Sequence, residues 1–247
     1  RLDAVPAGGL GLVVAGAGSG KSTLLSTWTQ ARPQATVVWV EADDRFGDPT
    51  VLAHALVASI DEHVAGFAQQ FADLSAIGSG AAGQQFVARL LVAIEQLEVD
   101  LVVVIDDAHL PGSGAAHPVL DGVVQRLPGN ARLFVAARYD PPLTIHRLRL
   151  EGRVDEIRGS DLSFDLSETR LLVETVAGFE LDEPTLSRLH GRTDGWAVGL
   201  QLAGLSIRHS RDVTRFVEDF DGSDVLVAEY LTREVLETFD TRTRDFV

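Results

Sequence analysis

Along the chain, short unbroken apolar runs alternate with stretches in which apolar residues recur every three or four positions. Residues 10–15 (LGLVVA), 36–40 (TVVWV), 101–105 (LVVVI) and 132–137 (RLFVAA) are short, apolar and rich in β-branched side chains, which predicts strands. Unbroken apolarity, rather than alternation, suits strands covered on both faces. Residues 22–30, 49–63, 84–97 and 118–127 predict helices, the last opened by Pro118 where a helix start tolerates proline. The small-residue stretch 72–83 and residues 111–116 predict loops, and 154–157, bracketed by charges, a further strand. This alternation implies an α/β fold with a mostly parallel sheet wound on both faces. After about residue 164 strand-like runs cease. Residues 167–177, 184–190 with Gly191 as a stop signal, 194–208 with Trp196, Leu200 and Ala203 on one face, and 225–239 predict helices. The expected organisation is a first domain over residues 1–163, a small helical lid over 164–222, and the opening of another domain over 223–247.

Between the first strand and the first helix stands Ala15-Gly16-Ala17-Gly18-Ser19-Gly20-Lys21-Ser22, which fits GxxxxGK[ST] with Ala15 in place of the first glycine. Small residues let successive backbone N–H groups curl around phosphate oxygens at a helix N-terminus. Lys21 then reaches the β and γ phosphates and the Ser22 hydroxyl serves Mg²⁺, with Thr23 completing the phosphate-binding set. Alanine at position 15 requires that this residue avoid the positive φ a glycine takes freely. Lys21 is the only lysine; the other 20 basic residues are arginine. The two are interchangeable on a solvated surface but not where a compact ammonium must fit between phosphates. Asp106, at the carboxyl end of the most apolar strand, is placed to hold the metal, and Asp107 to orient an attacking water. Paired aspartates at a strand end also serve as turn residues. Arg138 ends a further strand and points to a γ-phosphate contact, or to an ordinary surface ion pair.

Composition narrows the field. With 21 basic and 36 acidic residues the formal charge is −15, and no basic cluster is dense enough to neutralise a nucleic-acid backbone, so direct DNA contact by these residues is not expected. The apolar fraction of 45% belongs to a folded protein, and at roughly 150 residues per domain the length allows one or two. Cysteine is absent, which excludes disulfides and thiolate chemistry. No apolar stretch is long enough for a span and none resembles a signal peptide, so a cytoplasmic location without membrane contact is expected. The seven histidines form no HExxH spacing, His109 beside the acidic pair reading as a polar strand-exit residue, and no GxSxG elbow occurs. The absence of methionine and the start at Arg1 read as those of an excised piece.

The loop AGAGSGKS, then VVWVEADD, VVVIDDAHL, LFVAARYDPPL and GRTDGWAVGLQLAGLSIR, in that order and at these intervals, resemble the ATPase module of large LuxR-type, ATP-dependent transcriptional regulators similar to the maltose-regulon activator, within the STAND class of P-loop NTPases. The resemblance covers nearly the whole chain. The Trp39 strand, the Ala136-Ala137-Arg138 end and Gly195-Trp196-Ala197 carry more of it than the phosphate loop, which many NTPases share. It implies a switch that rests with ADP and self-associates with ATP, and reaches DNA through a C-terminal helix-turn-helix outside this chain. It further implies that Lys21 and Ser22 serve phosphates and Mg²⁺, Asp106 the metal and Arg138 the γ-phosphate, and that residues 223–247 open a winged-helix domain. The family's adenine-holding segment is expected ahead of Arg1. Asp107 stands where fast relatives in the wider class carry glutamate, which implies slow hydrolysis. An ordinary P-loop ATPase or kinase acting on a substrate, and a nucleotide-binding scaffold without turnover, are the competing readings.

Overall fold

The computed structural model describes residues 1–71, 77, 80–108, 116–210, 212–221 and 224–234. Strand β1 (Leu10–Val14) is followed by helix α1 (Lys21–Gln30), β2 (Thr36–Glu41), α2 (Pro49–Asp61), α3 (Ala81–Glu95), β3 (Leu101–Asp106), α4 (His117–Gln125), β4 (Ala131–Ala137), α5 (His146–Leu150) and β5 (Val154–Arg158). The strands form one parallel sheet in the order β2-β3-β4-β1-β5. Parallel neighbours cannot be joined by tight hairpins, and the intervening helices supply the crossovers. The fold is α/β, as the alternating pattern predicts.

Both faces of the sheet are covered, and every residue of β1 and β3 is buried. One face packs Leu10, Leu12, Val38, Leu101, Val103 and Leu133 against Leu52, Leu56 and Ile60 of α2, Phe86, Leu90 and Ile94 of α3 and Leu120 of α4. Fully burying one such side chain contributes about 1.5–3 kcal/mol. On the other face Phe134 lies 4.5 Å from Trp28 of α1, centroid to centroid. A Cβ on Gly11 would overlap the Phe134 ring, so glycine in the middle of β1 makes room for the contact that seats α1. That contact fixes where Lys21, the first residue of α1, emerges.

Contacts divide the chain into two compact units, residues 1–15 with 21–158, and residues 16–20 with 159–247. In the second, α6 (Gly159–Leu162) comes first, and α7 (Leu166–Ala177), α8 (Glu183–Thr193), α9 (Ala197–His209), α10 (Val213–Asp219) and α11 (Val225–Glu234) surround Val173, Leu186, Leu189, Leu200, Ala203, Ile207 and Val217. Helix α7 opens with a capping box in which Asp165 accepts from the Glu168 amide and Glu168 from the Asp165 amide. Losing such a cap costs about 1 kcal/mol.

Several boundaries differ from expectation. Helix α3 begins at Ala81, inside the stretch read as loop, because two alanines and the buried Gly83 extend the helical face upstream. Gly191 does not stop α8. The helix runs on to the buried Thr193, whose hydroxyl bonds the Leu189 carbonyl, and ends where Asp194 (φ 49°) and Gly195 (φ 70°) turn left-handed. Helix α9 consequently starts at Ala197 rather than 194. Residues 111–115 of the loop expected at 111–116, His109 and the helix expected beyond 234 lie outside the described residues.

Candidate functional site

Register brings the carboxyl ends of the strands into one row. Val14 stands opposite Ala137, and the Ala15 amide donates to the Ala137 carbonyl at 3.2 Å. The Ala108 amide donates to the Ala136 carbonyl at 2.8 Å, so the residues that leave β3 run beside the end of β4. Strand β4 therefore sits between the strand that precedes the phosphate loop and the strand that ends in Asp106, and carries Arg138 between them.

Lys21 is buried, and its ammonium donates to the Ala15 carbonyl at 2.9 Å. Burial pulls its pKa below the ordinary 10.5; the Asp107 and Asp106 carboxylates work against that and Arg138 adds to it. Asp106, Asp107 and Arg138 are thus each within electrostatic reach of Lys21. Ser22 and Thr23 stand exposed in the first turn of α1, which holds no acidic side chain to offset the positive end of the helix dipole.

Asp107 has φ 52°, and its amide donates to Asp106 Oδ1 at 2.9 Å. Nothing in the sequence signals this left-handed turn, although aspartate is among the few residues that visit it readily. In the loop, Gly18 (φ 69°) and Gly20 (φ 83°) occupy the same region, whereas Ala15 does not. Alanine at the first position of the motif therefore introduces no backbone strain.

This arrangement fits a bound phosphate chain. No atom lies within 4 Å of where a Cβ on Gly16 or Gly20 would stand, so the loop has open space at these two positions. Among the described residues no group of three or more His, Cys, Asp or Glu side chains could hold a metal. That is compatible with Mg²⁺, which takes one or two protein ligands and completes its shell with phosphate oxygens and water. Ser22 and Asp106 have the right chemistry for that part.

The loop also makes contacts that sequence reasoning missed. The Ala17 carbonyl accepts from Trp196 Nε1 at 2.9 Å, and the Gly18 carbonyl from the Val198 amide at 3.1 Å. Tryptophan in Gly195-Trp196-Ala197 was distinctive in the sequence, but its partner lies 179 residues away.

No protein-family model matches the chain. It is similar to the serine/threonine-protein kinase PknK of Mycobacterium tuberculosis, with 28% identity over 250 residues that cover 99% of this chain and 22% of PknK. It is similar to the HTH-type transcriptional regulator MalT of Yersinia enterocolitica, with 28% identity over 249 residues that cover 100% of this chain and 27% of MalT. The chain spans about a quarter of the length of these curated relatives. Among solved structures, the Aeropyrum pernix ORC1 protein in complex with DNA matches with a TM-score of 0.52 and 15% identity over 96% of this chain and 64% of that one, a likeness of fold alone. The similarity to the HTH-type transcriptional regulator MalT thus extends along the whole chain at the level of sequence.

Proposed function

We propose that the chain is the ATP-binding, slowly hydrolysing switch module of a LuxR-type transcriptional regulator, with nucleotide state controlling self-association in the cytoplasm. The observation that carries this reading is the placement of Lys21, the one lysine of the chain, buried at the start of α1 and electrostatically coupled to Asp107, Arg138 and Asp106. The sequence similarity to MalT supports the regulatory context.

In this reading the amides of residues 16–23 and the Lys21 ammonium hold the phosphates, and Ser22 and Asp106 hold Mg²⁺. Bound Mg²⁺ neutralises charge on the β and γ phosphates. Arg138 recognises the γ-phosphate, which ATP has and ADP lacks, and so gives the two nucleotides different conformational preferences. Asp107 orients water. Residues 164–222 act as a helical lid and 223–247 open a winged-helix domain, while DNA is bound by parts of the regulator outside this chain.

Titration of the purified protein with Mg-ATP and Mg-ADP, with light scattering on each complex, tests the proposal. Binding of both nucleotides, loss of both in Lys21→Ala, and a larger particle with ATP are expected. Equal affinity in parent and Lys21→Ala would overturn the site, and one size in every nucleotide state would overturn the switch.

A further inference from the structure

Helix α9 starts without a capping side chain, since its N-cap residue is Trp196 and an indole has no acceptor to offer. The first amides of a helix need acceptors from outside it. For the Val198 amide that acceptor is the Gly18 carbonyl, 3.1 Å away. One residue earlier in the loop, the Ala17 carbonyl takes the Trp196 indole N–H at 2.9 Å. The indole is held in turn by Tyr230, whose ring centroid is 5.9 Å away, and by Gly199, where a Cβ would press into the indole ring. A Cβ on Gly18 would come within 2.7 Å of Val198 and 2.8 Å of Tyr230 Oη, so loop and helices are in full contact here. All of these residues belong to the second unit.

A trans peptide is planar, with its C=O and N–H directed to opposite sides. A bond that holds the Ala17 carbonyl therefore aims the Gly18 amide away from Trp196, and a bond that holds the Gly18 carbonyl aims the Ser19 amide away from Val198. The left-handed φ of 69° at Gly18 allows the two planes to follow one another in this way. Consecutive amides turned outward through a left-handed residue form an anion-binding concavity. These two amides lie in the stretch that the motif presents to phosphate oxygens.

We propose that Trp196 is a positioning residue whose indole N–H, together with the Val198 amide, sets the Gly18 and Ser19 amides for phosphate, so that the seating of α9 on the loop regulates nucleotide affinity. The proposal rests on the nucleotide-binding reading above. With the indole bond in place the loop is preorganised; without it, binding carries the entropy of fixing the peptide planes. Both ATP and ADP are affected, because the device acts on the loop and not on the γ-phosphate.

The test uses ¹⁵N-labelled tryptophan, whose three indole signals are assigned by the one lost in Trp196→Phe, and amide hydrogen exchange at Gly18 and Ser19, both in nucleotide-free protein. In the parent the Trp196 indole proton exchanges at least about tenfold more slowly than a free indole. Trp196→Phe keeps the ring and loses the donor. It speeds exchange at Gly18 and Ser19 and weakens ATP and ADP by about five- to tenfold, the size of one lost hydrogen bond. Gly199→Ala keeps the donor but displaces the ring, and produces the same losses should the phenylalanine variant not fold. An unprotected indole in the parent, or variants that bind both nucleotides within twofold of the parent, overturns the positioning role alone. A parent that binds neither nucleotide overturns the reading on which it rests.

Discussion

The Lys21 ammonium bonds the carbonyl of Ala15 at 2.9 Å, tying the first residue of α1 back to the first residue after β1 and closing the loop at its base. The Asp107 and Asp106 carboxylates only partly offset the desolvation of this buried cation, which therefore costs stability. Because burial lowers the pKa of Lys21 from 10.5, the folded state sheds its proton before the unfolded chain does. The penalty is complete below the lowered value and is relieved as pH rises through it towards 10.5. Lys21→Met should therefore abolish nucleotide binding while raising the melting temperature of nucleotide-free protein at pH 7, at about 2–4 °C per kcal/mol relieved. The gain should shrink at alkaline pH. Calorimetry of both proteins from pH 7 to 10 checks the sign.

Arg138 leaves β4 one residue beyond Ala137, which stands opposite Val14. A charge-assisted hydrogen bond is worth about 1.5–3 kcal/mol, or roughly 10- to 100-fold in affinity. Arg138→Ala should weaken ATP by at least about tenfold on that scale and leave ADP within about twofold. Competition titrations measure the preference directly, and the same ATP-to-ADP ratio in mutant and parent would remove its role as γ-phosphate sensor.

Asp107 combines a carboxylate near Lys21 with a left-handed backbone at φ 52°. Alanine in that conformation costs about 1–2 kcal/mol, whereas asparagine tolerates it. Asp107→Asn should keep the thermal midpoint within about 2 °C of the parent and slow ATP turnover, by about tenfold or more if the carboxylate orients water. Asp107→Ala should lose both. Phosphate-release assays beside melting curves separate charge from backbone.

Gly11 leaves the space that the Phe134 ring fills, and Phe134 in turn seats Trp28 of α1. Gly11→Ala overpacks this layer and should cost about 1–3 kcal/mol in chemical denaturation. Its effect on nucleotide affinity should be secondary, because no ligand-facing group is changed.

The sheet was legible because a strand buried on both faces leaves an unbroken apolar run, as in residues 101–105, and the phosphate loop because its chemistry demands particular residues at fixed spacing. The five-residue α5 and seven-residue α10 are too short to display a period and went unread. Gly191 misled because a glycine's local preference yields to tertiary packing when the residues around it, Leu189 and Thr193, are buried. The left-handed Asp107 and the bond from Trp196 to Ala17 were illegible for a different reason. Both are set by contacts that no local pattern encodes.

Because Lys21 is the only lysine, amine chemistry reads the site directly. An acyl-phosphate derivative of ATP delivers its acyl group to an amine held beside the phosphates, and the adduct is located by mass spectrometry. The account predicts acylation of Lys21 that excess ATP or ADP suppresses and Trp196→Phe diminishes. Acylation confined to the α-amino group of Arg1, or a Lys21 adduct whose yield is indifferent to added nucleotide, would contradict it.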